Sequence, residues 1–313
     1  MELRQDPSEV KIGLVAPGEL TEASALEELP IDSLWVGGHV ASPNPSPEAL
    51  IALARLSAAT ERAWIGTSIL LLPLYPPAIV AKQVADLDRA TGGRVILGVG
   101  VGGEYPQEFR ACGVPLGQRG RRADEAIVLL RRLWSGEEIS HDGPFFPMTD
   151  VRIHPPPAQP GGPPIVVAGR KDPAMRRAAL LADGWMPYLY SPRRYAASVS
   201  RIRQIADEVG RDLRSFEWYV FIFVNIDRDG RRARQEAARM MGGTYDQDFG
   251  PMVDKVAAAG TSDEVTEKIE QFVAAGVRHF IFLPATTRAA DFEATVRTLT
   301  EDVMPRVRSR AAW

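Results

Sequence analysis

A chain of 313 residues suits one large α/β barrel or two average domains, and its 45% hydrophobic and 25% charged residues are those of an ordinary globular protein. A formal net charge of −3 argues against nucleic acid or an anionic membrane as partner. One cysteine, Cys112, excludes an internal disulfide, no apolar run reaches the roughly 18–20 residues of a bilayer span, and the start "MELRQDPSEVKIGL" has no secretory signal pattern. The expected compartment is the cytoplasm. Four histidines (His39, His141, His154 and His279) stand singly, without zinc-ligand spacing, so no metal is expected.

Short apolar runs alternate with helical patterns along the chain. The expected strands are "KIGLVA" (11–16), "SLWVG" (33–37), "WIGTSIL" (64–70), "RVILGVG" (94–100), "PIVVAG" (164–169), "GWMPYL" (184–189), "FEWYVFIFVNI" (216–226) and "HFIFLPA" (279–285). Most are continuously apolar, as strands buried on both faces are. Between them, "SPEALIALARLSAAT" and "PPAIVAKQVADLDRAT" open on proline signals and "RRADEAIVLLRRLWSG" ends at glycine. "DPAMRRAALLADG" enters through Asp-Pro, and "TSDEVTEKIEQFVAAG" offers Thr261 or Ser262 as N-cap. Eight strands with helices between them predict a single (β/α)8 TIM barrel over residues 9–313, preceded by a short extension at 1–8.

Two segments break the rhythm. Residues 137–163 contain a turn signal at "HDG" and a proline-rich return, which reads as an insertion, a hairpin, before the fifth strand. Residues 228–262 exceed one crossover helix and form an extended segment before the last strand; insertions at such barrel loops are often substrate lids.

"LGVGVGGEYPQEF" (97–109) holds a literal G-x-G-x-x-G at Gly98, Gly100 and Gly103. A dinucleotide fold would need a helix directly after Gly103 and an acid about 20 residues on at a strand end. Here Pro106, Gly113, Pro115, Gly117 and Gly120 prevent a continuous helix, and Asp124 and Glu125 fall within a helical pattern. The run also follows the fourth strand instead of the first. It reads either as a tight turn or as a strand mouth where backbone approaches a flat ligand without Cβ obstruction.

"WIGTSILLLPLYPPAIVAKQVADLDRATGGRVILGVGVGG", followed by "EF...GVP...RG.R.DEAIVLLRRLW", resembles the bacterial luciferase-like flavin and deazaflavin oxidoreductases, and among them most the branch dependent on coenzyme F420. "SLWVGGHVASPNPSP" and "PPIVVAGRKDPAMRRAALLADGW" support the likeness, which is strongest from about residue 30 to 190. The resemblance implies a TIM barrel with an insertion before the fifth strand. It implies a non-prolyl cis peptide at Ser68-Ile69 backing the cofactor ring. It also puts Val101, Gly102 and Gly103 against the ring edge or the ribityl chain.

The turn at Gly169 lies between strand and helix, where backbone N–H groups and the helix dipole favour an anion, and Arg170 and Lys171 add charge. Read alone it is equally a plain turn with surface cations; the resemblance makes it the phosphate end. His39 follows the second strand where F420-dependent relatives commonly show Asp-His, but here Gly38 replaces the aspartate. His39 therefore reads either as a loop residue or as the group that gives or takes a proton, with Glu104 as a second acid–base candidate. Trp185, Tyr188 and Tyr190 offer a substrate wall or core packing, and Cys112 has no activating neighbour in the sequence.

The expected function is hydride transfer between F420 and a small organic substrate. The alternatives are an FMN-dependent monooxygenase, a non-redox phosphate-binding barrel enzyme and a catalytically silent flavin protein. A homodimer is what the resemblance implies.

Overall fold

The protein is described by a computed structural model covering residues 9–16 and 20–311; the expected extension at 1–8 lies outside the described residues. Its strands are β1 Lys11–Val15, β2 Ser33–Val36, β3 Trp64–Thr67, β4 Leu70–Leu71, β5 Val95–Gly100 and β6 Ile139–His141. They continue with β7 Met148–Val151, β8 Ile165–Ala168, β9 Gly184–Met186, β10 Glu217–Ile226, β11 Ala257–Gly260 and β12 His279–Pro284. Each apolar run read from the sequence contains one barrel strand. The main sheet runs β11-β10-β12-β1-β2-β3-β5-β8-β9, with β4 on β5 and β9 pairing back to β10. That order returns on itself: the fold is the (β/α)8 TIM barrel, with β11 an additional parallel strand beside β10. Among the described residues no helix is long and apolar enough to cross a membrane.

The chain divides into two compact units, one made of Ala16–Glu27 and Ser33–Trp185. Within it β5 is buried along its whole length, as a strand covered on both faces must be. β2 packs on β3 through Trp35, whose ring occupies the space a side chain at Gly66 would need. The expected hairpin is β6–β7, antiparallel, with Ile139 opposite Val151. Glu125, on the helix Arg119–Leu133, holds it by accepting from His141 Nε2 (3.1 Å) and from the N–H groups of Phe145 and Phe146 (3.2 and 2.9 Å). Asp88, fully buried, accepts from the Gln159 N–H at 2.9 Å and its Nε2 at 2.7 Å, tying down the proline-rich return.

The other unit contains β1, residues 28–32 and the chain from Met186 onward. Asp32 accepts from the Ile12 N–H (2.6 Å) and from Arg308 Nη2 (2.7 Å), and Arg308 Nε donates to the Val10 carbonyl, so β1 is clamped at its start. Residues 228–262, the extended segment expected before the last strand, hold the helix Gly230–Tyr245, the short helix Val253–Val256 and β11. Met241, Phe249 and Val253 bury against Phe223 of β10, which makes this segment part of a core. The helix Ser262–Ala274 starts with a reciprocal cap in which Thr261 is the N-cap and Glu264 bonds back to it, deciding between the two candidate caps.

Candidate active site

At the end of β3 the Thr67 hydroxyl donates to the Gly98 carbonyl at 2.7 Å, and the next peptide, Ser68-Ile69, is cis, as expected. The chain resumes as β4 alongside Val99 and Gly100. Two glycines embrace this bulge. A Cβ on Gly37 would lie 2.9 Å from the Ser68 carbonyl oxygen, and one on Gly100 would overlap the Ile69 Cδ1. Gly100 therefore makes room for the kinked segment rather than for a pyrophosphate.

Gly102 and Gly103 have φ of +60° and +115°, a region that side chains with Cβ avoid, and they turn the chain at the C-terminal end of β5. Behind Gly102 lie Leu71 and Phe109, members of a buried cluster with Leu74 and Val114. Beyond Gly103 the chain enters a short helix, Pro106–Ala111, which the proline and glycine punctuation had concealed.

That helix carries the carboxylate missing at position 38. Glu108, 1% exposed, accepts from His39 Nδ1 at 3.1 Å and from the Val40 N–H at 2.8 Å, and lies 3.4 Å from the Ala41 N–H. Tyr105 stands edge-on to the imidazole, ring centroids 5.1 Å apart. A carboxylate accepts, so His39 when neutral carries its proton on Nδ1, which leaves Nε2 as the ring's acceptor. Glu104 is exposed in the loop. Glu108, which sequence reasoning missed, is the carboxylate on the histidine. Gly38 has a steric reason as well: the His39 N–H donates to the Pro47 carbonyl (3.1 Å), and a Cβ on Gly38 would lie 2.7 Å from that same oxygen. An aspartate has no room there.

The turn at Gly169 is closely built. A Cβ would meet that of Ala174 at 2.5 Å, and the Trp185 indole donates to the Gly169 carbonyl at 3.0 Å. Trp185 is fully buried, so it supports this turn from the core and forms no wall. Tyr190 is also buried, its hydroxyl 3.3 Å from Ser198 Oγ, while Tyr188 is half-buried and stacks on Tyr245. The helix Asp172–Leu181 offers fewer donors at its start than the sequence suggested: Pro173 has none, and the N–H groups of Ala174 and Met175 both bond the Lys171 carbonyl. At this turn Gly169 and Arg170 are half-buried and Lys171 is exposed. Burial, and then the charge of Glu108, push the Cys112 thiol up, consistent with an unreactive cysteine.

Relatives share this architecture. An uncharacterized protein of Mycobacterium tuberculosis (strain ATCC 25618 / H37Rv) is 37% identical over 186 residues, covering 59% of this chain and 63%, less than two thirds, of that protein. An F420-dependent glucose-6-phosphate dehydrogenase of Beutenbergia cavernae is 29% identical over 324 residues, covering 94% of this chain and 95% of that enzyme. Among solved structures, an F420-dependent secondary alcohol dehydrogenase in complex with an F420-acetone adduct superposes with a TM-score of 0.85 at 23% identity, covering 96% of this chain and 99% of that one. The luciferase-like monooxygenase profile matches residues 15–279, and the chain belongs to that family.

Proposed function

We propose that this protein is an oxidoreductase that binds the deazaflavin coenzyme F420 at the C-terminal ends of β3, β5 and β8 and acts on a small organic substrate. The observation that carries the reading is the mouth of β3 and β5. A cis Ser68-Ile69 bulge is clasped by Gly37 and Gly100, next to the turn Val101, Gly102 and Gly103, whose two glycines carry no Cβ. Buried polar atoms there test the fit. Ser68 Oγ and Arg119 Nε have no hydrogen-bond partner in the protein, as expected of a surface that a polar ring completes. The residues fit the group.

When bound, the coenzyme supplies two-electron hydride-transfer chemistry. The protein's part is positioning and proton control. Ser68 and Ile69 back the ring, and Val101, Gly102 and Gly103 line its edge. Gly169 and Arg170, assisted by Lys171, hold the phosphate. His39 takes or gives the substrate proton at Nε2, and Glu108 keeps the ring in that tautomer through Nδ1. Because Glu108 also accepts from the Val40 N–H, it ties the His39 loop to the helix Pro106–Ala111.

The family description, luciferase-like monooxygenase, favours a second reading in which FMN occupies the same mouth. Absorbance and fluorescence titration with both cofactors separates them. Tight binding of F420 with none of FMN is expected; the reverse result would establish the monooxygenase reading instead.

A further inference from the structure

Within the unit Ala16–Glu27 and Ser33–Trp185, Ser68 Oγ and Arg119 Nε are buried side-chain atoms without a hydrogen-bond partner, Ser68 on the bulge beside Gly37 and Arg119 against the turn at Gly103. Side by side along it, Ile69 packs on Gly100, Leu71 on Gly102 and Arg119 on Gly103. A Cβ built on Gly103 would lie 3.1 Å from Arg119 Nε and 3.6 Å from its Cζ, so glycine there leaves the guanidinium against bare backbone. Nη1 is engaged, donating to the Leu116 carbonyl at 2.9 Å, which anchors one end of the fork. The Nε edge is left without an acceptor. A buried donor in that state costs about 1–3 kcal/mol, more when it is charged, and a guanidinium is always charged. Its natural complement is an acceptor that carries negative charge.

Accepting a hydride brings two electrons and one proton, so until a second proton is taken up the ring carries one more negative charge than its oxidised form, and a fixed cation beside it would bind the reduced form better. We propose that Arg119 is a cofactor-contacting residue whose guanidinium stabilises the reduced ring and thereby sets the balance between the two redox forms. This rests on the cofactor reading of the β3–β5 mouth. Arg119 lies 16 residues beyond Gly103 in the chain, past the short helix that carries Glu108. The same turn thus connects the proton-handling pair to the charge-stabilising group.

The test measures binding, without turnover. Dissociation constants for oxidised F420 and for chemically reduced F420 are determined anaerobically by calorimetry, for the wild type and for Arg119→Gln and Arg119→Lys. Wild type should bind the reduced form more tightly. Arg119→Gln should lose roughly 10-fold or more for the reduced form and less than about 3-fold for the oxidised form, with Arg119→Lys between. A role confined to holding the Leu116 carbonyl would weaken both forms equally, and that result overturns the proposal. So does a wild type with equal affinity for the two forms, a measurement that needs no variant to fold. If the wild type binds neither F420 nor FMN in either state, the cofactor reading itself falls. If it binds and the ratio is indifferent to position 119, only the role of Arg119 falls.

Discussion

The mouths of β3–β5 and of β8 carry the two ends of one proposed ligand site, and they are built differently. At β3–β5 the shape is forced by contacts, Gly37 on Ser68 and Gly100 on Ile69, while buried donors stay unfinished at Ser68 Oγ and Arg119 Nε. At β8 backbone groups already have partners: Trp185 donates to the Gly169 carbonyl, and the Lys171 carbonyl accepts from the Ala174 and Met175 N–H groups. The difference teaches that, in the proposed site, the ring would meet an unsatisfied interior, whereas the phosphate end would depend on side-chain charge at the rim. The first should be intolerant of change and the second graded.

The largest effect is expected from His39→Ala, which should lower turnover by about 10²–10⁴-fold while cofactor affinity stays nearly constant. Steady-state kinetics alongside cofactor titration checks this, and wild-type turnover would remove His39 from the chemistry. Glu108→Gln keeps the bulk but replaces the carboxylate by an amide that can also donate to Nδ1. Turnover should fall by about 10–100-fold, again with little change in cofactor affinity, because a member of the hydrogen-bonded pair is altered.

Gly100→Ala probes the forced shape, since its methyl meets Ile69 in a fully buried strand. A loss of about 1–3 kcal/mol in stability, read by thermal unfolding, is expected together with weakened cofactor binding. Arg170→Ala should cost about 10-fold in cofactor affinity, and less as salt rises, if the β8 rim acts by charge. A loss independent of ionic strength would show that this mouth, too, is a built pocket.

The smallest effect lies at the opposite end of β3, as a control away from both mouths. Burial pushes the Glu27 carboxyl up, but the N–H groups of Ala63, Glu61 and Arg62 at 2.6–2.7 Å outweigh it and hold the group below its ordinary value of 4.5. A depressed folded value means that the stabilisation is complete above the unfolded value and is lost as pH falls through the folded one. Glu27→Gln should therefore destabilise by about 1 kcal/mol at neutral pH. The gap to wild type should close in acid, below about pH 4.5, and activity should be unaffected.

Much of this architecture was readable along the chain because its determinants are local. Continuous apolar runs mark strands buried on two faces, and Pro and Gly punctuate helices such as Asp172–Leu181 wherever they stand. The kink at Ser68-Ile69 was legible through family likeness. The extra strand β11 was not: "AAAG" has no β-rich signature and becomes a strand by pairing with Phe223–Ile226.

The His39–Glu108 pair shows where local reasoning stops. Glu104 and Glu108 are both carboxylates just past a glycine run, and nothing in "GGEYPQEF" tells which one is buried. A three-dimensional approach between His39 and Glu108, 69 residues apart in sequence, made that choice, because parallel strands bring their C-terminal ends to one rim. Likewise Gly38, which read as a lost aspartate, answers to the Pro47 carbonyl folding back on it. Residue type and order determined where strands and helices form, since burial pattern and backbone punctuation act within a few residues. Only the folded barrel decided which charges meet, since partner choice depends on distances that no sequence interval encodes.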